Sequence, residues 1–157
     1  MAVKSIEKSR RKKVLNEVRM FHTLKNRHIL KFANWYETRN HLWIIFEYCA
    51  GGDLFQLIEQ DKKLSEETIQ KFGRDLAQGL YYLHANSIIY ADLKPSNVLM
   101  NEYNTLKLCD FGLASIDAGH KRSLTGRTGT VVYMAPETLK GHKYGKEVDL
   151  WGLGVLM

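Results

Sequence analysis

The stretch Ile89–Gly112, IYADLKPSNVLMNEYNTLKLCDFG, places the strongest constraint on the fold of this chain. Two short apolar runs, Val98–Met100 and Leu106–Cys109, lie on either side of the turn signal Asn101–Asn104. Short apolar runs separated by turn-forming residues predict a pair of antiparallel strands. Such a hairpin holds the loop before it beside the loop after it, so we expect polar groups of both loops to share one pocket.

Four polar side chains of these two loops suit phosphoryl transfer: Asp92, Lys94, Asn97 and Asp110. Transfer of a phosphoryl group requires in-line positioning, neutralisation of phosphate charge, and a carboxylate near the attacking hydroxyl. One carboxylate would face the substrate hydroxyl, while a carboxylate and an amide would face a metal. Aspartates are common on protein surfaces, so two of them are weak evidence for such a site. The order and spacing of further motifs are needed to support it.

Composition restricts the class of protein. A chain of 157 residues with 45% apolar and 25% charged residues is typical of one globular domain with a real core. The longest apolar runs, such as Trp43–Phe46, fall far short of a membrane span. The chain does not open on a signal peptide, and Cys49 and Cys109 are isolated cysteines, which predicts reduced thiols in the cytoplasm.

The net charge of +6 comes from two local clusters rather than from the whole chain. The first contains Lys8 and 10–13, and the second contains Lys121, Arg122 and Arg127. Neither cluster is interleaved with aromatic residues, so we predict no nucleic-acid partner. A solvated helix end and a polar loop are the favoured interpretation, and attraction of an acidic or phosphorylated regulatory partner is the alternative.

Hydrophobic periodicity predicts the secondary structure around the hairpin. Asp53 and Ser65 are predicted N-caps of the two helices that follow them. Glu17 lies beside the apolar stripe of the first helix and would require a cation as partner. The predicted elements are a strand ending at Ala2–Lys4, a helix over Ser9–Lys25, strands over Ile29–Trp35 and Leu42–Tyr48, a helix over Leu54–Glu59, a long helix after Ser65, a short helix over Glu137–Lys140 and the start of a buried helix over Leu150–Met157.

Ordered short motifs extend the pattern beyond the hairpin. They are Asp92-Leu-Lys-Pro-Ser-Asn97, Asp110-Phe-Gly112, Gly129-Thr130 followed by Tyr133-Met-Ala-Pro-Glu137, and Asp149-Leu-Trp-Gly152. This order closely resembles the eukaryotic protein-kinase family. The resemblance implies an α+β, bilobal kinase-like fold, with part of the small lobe in residues 1–48 and part of the large lobe in 49–157. It also implies a domain truncated at both ends, because no glycine-rich loop precedes Lys4 and the chain stops inside the central helix of the large lobe.

The resemblance implies a role for each polar group of the two loops. Asp92 would be the catalytic base, and Lys94 would neutralise the transferring phosphate. Asn97 and Asp110 would hold Mg²⁺. Lys4 would contact the α- and β-phosphates of ATP and pair with Glu17, which explains an acid beside an apolar stripe.

The nucleotide pocket follows from the same resemblance. Phe46 matches the residue that guards its depth, and Glu47–Cys49 matches the hinge whose backbone binds adenine. Leu99 would be the apolar floor beneath the base. Asp53 resembles the residue that contacts ribose, and its N-cap role is an equally good interpretation. The side-chain stack of an assembled active state would consist of Phe21, Phe32, Tyr90 and Phe111, based on Asp149.

Lys94 and Thr130 resemble the serine/threonine branch of the family, and Thr130 is expected to hydrogen-bond toward Asp92 and Lys94. The implied function is ATP-dependent phosphorylation of serine and threonine residues in protein substrates. The run Ile88–Asn97 also resembles the Unc-51-like/Fused branch. The alternative function is a non-catalytic, pseudokinase-like interaction module, because the missing ends predict little activity for these 157 residues alone.

Two further expectations concern regulation and reactivity. Ala91 replaces the arginine that normally receives a phosphorylated activation loop, so obligate switching by loop phosphorylation is not expected. Ser123, Thr125 and Thr128 are better interpreted as polar loop residues than as phosphorylation sites. Cys109, directly before Asp110, is either a buried strand thiol or a pocket thiol that an adenine-like electrophile would label.

Overall fold

A computed structural model describes residues 1–61, 63–116 and 130–157, with the side chains of residues 10–14, 16 and 17 excepted. Helices and strands both contribute to this part of the chain, which confirms the predicted α+β class. The elements are β1 Ala2–Glu7, α1 Arg11–Thr23, β2 Phe32–Glu37, β3 His41–Phe46, α2 Leu54–Asp61, α3 Glu66–Ala85, β4 Ile88–Ile89, β5 Val98–Met100, β6 Leu106–Leu108, β7 Ser115–Ile116, α4 Pro136–Leu139 and α5 Glu147–Leu156.

The first half of the chain forms an antiparallel sheet of three strands in the order β1-β3-β2. Leu42, Ile44 and Phe46 alternate along β3 and are buried, as expected of a central strand with one face on a core. Val18 and Phe21 of α1 pack in the same core, together with Leu24 just after the helix. This arrangement confirms the amphipathic helix that periodicity predicts for this region.

The strand predicted to begin at Ile29 begins three residues later, at Phe32. The preceding residues pair elsewhere: the Leu30 amide donates to the Leu108 carbonyl at 2.9 Å, and the Leu108 amide donates to the His28 carbonyl at 2.8 Å. Backbone groups of a buried segment must be paired, and here the partner is β6 rather than the sheet. This segment therefore ties the three-stranded sheet to the hairpin.

The two predicted N-caps are present. The Ser65 hydroxyl accepts the Thr68 amide at 3.2 Å at the start of α3. Four apolar residues of α3 are buried and pack in the main core: Phe72, Leu76, Leu80 and Leu83. Helix α5 begins earlier than its apolar run, at Glu147, because acidic residues favour the first turn of a helix.

The described helices include none that is both long and apolar enough to cross a lipid bilayer.

Candidate active site

Strands β5 and β6 form the predicted hairpin, with Val98 paired to Leu108 and Met100 to Leu106. The Asn101 side chain closes the turn, because its Oδ1 accepts the amides of Tyr103 at 3.0 Å and Thr105 at 2.9 Å. The two flanking loops consequently meet at the open end of the hairpin, where the Cys109 amide donates to the Asn97 carbonyl at 3.0 Å.

The loop before the hairpin is held by bonds among its own polar side chains. Asn97 Nδ2 donates to Asp92 Oδ2 at 2.7 Å and to the Asp92 carbonyl at 2.9 Å. Lys94 Nζ lies 3.1 Å from the same Asp92 oxygen. Because the amide nitrogen of Asn97 supplies both bonds, its Oδ1 remains as an acceptor. The carboxylate of Asp92 thus has a defined position and a cation beside it.

Asp149 fixes the same loop from the core. Its Oδ2 accepts the Tyr90 amide at 2.9 Å, and its Oδ1 accepts the Ala91 amide at 2.7 Å. His84 Nε2 lies 2.8 Å from Oδ2, and the Asp149 residue is only 1% exposed. Ala91 takes a left-handed backbone conformation, φ 61°, which these bonds hold in place. His84 was not predicted from the sequence; the available signal was a polar residue four positions after Leu80, on the buried face of α3.

Three rings of the predicted stack are in contact. Phe111 packs edge-to-face on Phe21, with centroids 4.6 Å apart, and on Tyr90, at 5.3 Å. Phe32 instead packs on Phe46 at 6.2 Å, and Phe46 packs on Phe21 at 5.0 Å. Phe46, the predicted guard residue, therefore connects Phe32 to the stack. Burial, reinforced by nearby anionic groups, raises the pKa of the Tyr90 hydroxyl well above its usual value.

A cavity of about 380 Å³ lies between the hinge, β1 and the two loops. The volume falls within the roughly 300–1,000 Å³ typical of small-molecule pockets. The structure brings eight residues singled out in the sequence into its lining: Lys4, Phe46, Glu47, Cys49, Asn97, Leu99, Cys109 and Asp110. Asp110 takes a positive φ of 55°, and its Oδ1 accepts the Gly112 amide at 3.1 Å.

Asp53 is a helix cap in this structure. Its Oδ1 accepts the Gln56 amide at 2.8 Å at the start of α2. Asp53 also forms an isolated bridge with Leu99, but it does not line the 380 Å³ cavity. The cap interpretation is confirmed, and the ribose contact stays a prediction.

Thr130 lines a second, small cavity together with Asp92 and Lys94. Its hydroxyl makes no hydrogen bond to either side chain, so that bond also stays a prediction. Glu17 belongs to α1, but its side chain is outside the described part of the chain. The ion pair between Lys4 and Glu17 therefore stays a prediction. The predicted loop residues Ser123, Thr125 and Thr128 and the second basic cluster also lie outside the described residues.

Comparison with known families identifies the family of the chain. The protein kinase domain family matches residues 1–157. The chain belongs to the protein kinase family. Enzymes of this family generally use ATP and Mg²⁺, and the described residues contain no cluster of three or more His, Cys, Asp or Glu side chains able to hold a metal.

Three relatives of this kinase chain are named serine/threonine-protein kinases. It is 50% identical to RUNKEL of Arabidopsis thaliana over 99% of its residues, 37% identical to ULK4 of Mus musculus over 100%, and 38% identical to TIO of Arabidopsis thaliana over 90%. The similarity to ULK4 confirms the predicted resemblance to the Unc-51-like branch. The chain spans 11–14% of the length of these relatives.

The two cysteines of the kinase chain are free thiols with low expected reactivity. Burial, followed by the neighbouring Asp110 carboxylate, raises the pKa of Cys109 to about 12. Burial, followed by Glu47, raises the pKa of Cys49 to about 11. Because the thiolate is the nucleophile, both groups stay protonated and inert near neutral pH. Cys109 lines the nucleotide-sized cavity, which is the 380 Å³ cavity described above. Its raised pKa nevertheless favours the interpretation as an unreactive buried thiol.

An ion pair behind the hinge was not predicted. Lys107 Nζ lies 3.0 Å from Glu47 Oε1, and the Lys31 amide donates to the same oxygen at 2.6 Å. The Lys107 side chain is 9% exposed. A lysine between Leu106 and Leu108 in a buried strand requires a carboxylate partner, and that was the signal in the sequence. The pair links the hinge to the strand that leads to Asp110.

Proposed function

We propose that the kinase domain to which these residues belong transfers the γ-phosphate of ATP to serine and threonine residues of protein substrates. The observation that carries the proposal is the Asp92 carboxylate, which Asn97 and Lys94 hold at 2.7 and 3.1 Å. A carboxylate fixed in this way can receive a proton from a hydroxyl that approaches it. The lysine beside it supplies the positive charge that a transferring phosphate requires.

In this mechanism, Asp92 orients the substrate hydroxyl and accepts its proton. Lys94 stabilises negative charge that develops on the transferring group. Asp149 acts as a positioning residue, since it bonds the two amides that immediately precede Asp92 in the loop. Thr130 lines the same small cavity as Asp92 and Lys94, which suits a contact with the protein substrate.

The donor set at the cavity fits Mg²⁺. The free Oδ1 of Asn97 and the carboxylate of Asp110 are hard oxygen ligands, and Mg²⁺ is commonly bound by one or two such groups together with substrate phosphates. Bound Mg²⁺ supplies neutralisation of phosphate charge. We assign ATP binding to Lys4, the backbone of Glu47 and Cys49, and the apolar surface of Leu99, with Glu17 pairing Lys4 and Asp53 contacting ribose.

We also propose the organisation in which this chemistry takes place. Residues 1–48 would belong to the small lobe and 49–157 to the large lobe, with the boundary at the hinge. The cytoplasm, a reducing compartment, suits the two free thiols.

The test is transfer of labelled phosphate from ATP to a peptide library that offers serine, threonine or tyrosine acceptors. The assay uses the complete product of the gene that encodes these residues. Asp92→Asn should lower the rate about 10²–10⁴-fold, the usual contribution of a general base. Asp61→Asn makes the same change at an exposed position at the end of α2 and should leave the rate unchanged.

Two outcomes would overturn the proposal. Phosphate transfer at an undiminished rate in Asp92→Asn would show that Asp92 is not the base. A wild-type protein that transfers no phosphate would favour the alternative, a non-catalytic interaction module. Phosphate found only on tyrosine would contradict the substrate class alone.

A further inference from the structure

A third cavity, of about 830 Å³, lies behind the hinge and outside the site described above. The end of α1, the segment 24–31, strand β2 and the Lys107–Glu47 ion pair enclose it. Among the described lining residues, it shares only Glu47 with the nucleotide-sized cavity. We call this space the rear groove.

The rear groove runs along the edge of a sheet. Phe32, Ala33, Asn34 and Trp35 all line it. The pairing of β2 with β3 shifts register between Phe32 and Asn34, so strict alternation of side chains does not hold there, and the four residues place the cavity along this strand. Strand β2 is an outer strand in the described sheet, whose order is β1-β3-β2. An extended polypeptide segment is the ligand that fits beside such an edge.

The charge of the rear groove is positive. Lys25, Arg27 and Lys31 line it and are exposed. One carboxylate, that of Glu47, lies among the described lining residues, and Lys107 neutralises it at 3.0 Å. The three exposed cations therefore face the groove without a compensating carboxylate among its described lining residues. Acidic side chains of a partner would provide that compensation.

The apolar wall of the groove favours a peptide over a nucleic acid. Phe21 is 2% exposed and is packed in the core. Phe32 is half-buried, with its ring against Phe46 and His22. Single-stranded nucleic acid requires several open ring faces for bases to stack on, whereas Phe21 offers none and Phe32 and Trp35 are only partly open. An aliphatic or aromatic side chain between acidic residues can instead pack against the partly open surfaces of Phe32 and Trp35.

We propose that the rear groove binds an acidic, extended segment of a protein partner that carries one apolar anchor residue. Carboxylates of the segment pair with Lys25, Arg27 and Lys31, and its anchor contacts Phe32 and Trp35. The inference does not depend on the proposed phosphoryl transfer, because the binding residues lie outside the catalytic loops.

The test measures binding of a fluorescein-labelled pentapeptide, one phenylalanine between two pairs of glutamates, by anisotropy at low salt. The double variant Lys25→Glu/Arg27→Glu should weaken the affinity at least tenfold. The matched control Lys140→Glu/Lys143→Glu changes the net charge equally at two exposed positions outside the groove. This control should change the affinity less than twofold. Replacing the phenylalanine of the peptide by serine should weaken binding severalfold.

Thermal unfolding of each variant verifies that a loss of binding is not a loss of folding. If Lys25→Glu/Arg27→Glu unfolds the protein, the single variant Lys31→Glu, which should weaken binding about threefold, provides the same test. Equal weakening by the groove and control pairs would mean attraction to net charge and would overturn the proposal. Absence of peptide binding, or tighter binding of an oligo-dT strand or of phosphatidylserine vesicles through the same lysines, would also overturn it.

Discussion

The loops on the two sides of the β5–β6 hairpin are held in different ways. The loop before it receives bonds from distant residues, since Asp149 on α5 accepts its amides at 2.7 and 2.9 Å. Asn97 then fixes Asp92 from within. The loop after it carries an exposed Asp110, whose carboxylate accepts the nearby Gly112 amide at 3.1 Å. The comparison indicates that the Asp92 carboxylate, on the proposed substrate side, is held more tightly than the exposed Asp110 carboxylate, on the proposed metal side, although Phe111 beside Asp110 is buried.

Removal of the Asp149 carboxylate, which holds the loop before the hairpin, should have the largest effect on the free energy of unfolding. Asp149→Ala leaves the buried Tyr90 amide and the partly buried Ala91 amide without an acceptor, and His84 without its carboxylate. We expect a loss of about 3–5 kcal/mol in the free energy of unfolding, as for other broken buried pairs. Asp110→Ala, in the exposed loop, should cost less than about 1 kcal/mol. Urea denaturation of both variants measures the contrast, and equal losses would contradict it.

High pH should lower the free energy of unfolding through Cys109, which lies where the hairpin meets the loop that carries Asp110. Burial raises the pKa of Cys109 from its ordinary value of 9.0 to about 12 in the folded protein. A raised folded pKa gives stability that is fully present below pH 9 and is lost as pH rises toward 12. Between pH 9 and 11 the loss should be on the order of 2 kcal/mol.

The variant Cys109→Ala isolates this contribution, since the remaining titrating groups are common to both proteins. The difference in unfolding free energy between wild type and variant should narrow over that pH range. A difference that stays constant from pH 8 to 11 would contradict burial of the thiol.

Loss of the internal bonds of the loop before the hairpin should have an intermediate effect. Asn97→Ala removes both hydrogen bonds to Asp92, and we expect it to lower the free energy of unfolding by about 1–3 kcal/mol. The neighbouring Ser96 is exposed, so Ser96→Ala should stay within about 0.5 kcal/mol. Chemical denaturation compares the two variants directly. If Asn97→Ala lost less free energy of unfolding than Ser96→Ala, the bonds from Asn97 would not be what holds Asp92.

Relief of backbone strain at Ala91 should have the smallest effect on the free energy of unfolding. Ala91 has φ 61° in the loop before the hairpin, a conformation that costs alanine more than glycine. Ala91→Gly should therefore raise the free energy of unfolding by about 0.5–1 kcal/mol. Ala77→Gly, at an exposed position inside α3, should lower it by a similar amount. Differential scanning calorimetry should give shifts of opposite sign.

Local patterns were enough to predict the hairpin, the long helix α3 and the cap at Ser65, because each depends on neighbouring residues. They were not enough for partners that only the folded chain brings together. The segment at Leu30 reads as a strand, but its amide bonds Leu108, far along the sequence. Lys107 and Glu47 likewise appear as separate charges in the sequence, and only the folded chain places strand β6 and the segment after β3 so that they lie 3.0 Å apart.

The nucleotide-sized site shows the same division. The motifs identified Asn97 and Asp110, and the cavity contains both. The motifs also suggested Asp53, whose carboxylate is engaged by the Gln56 amide, a bond that helix capping predicts equally well. Order in the sequence thus identified the loops, and packing decided which side chains share the cavity.

The most direct test of the two-sided site is the Mg²⁺ dependence of nucleotide affinity in Asp92→Asn and Asp110→Asn. Isothermal titration with ADP, with and without Mg²⁺, measures it in the complete gene product. We predict that Asp110→Asn removes at least a tenfold gain in affinity due to Mg²⁺, while Asp92→Asn retains that gain within about threefold. Loss of the gain in Asp92→Asn, or its survival in Asp110→Asn, would contradict the division into a substrate side and a metal side.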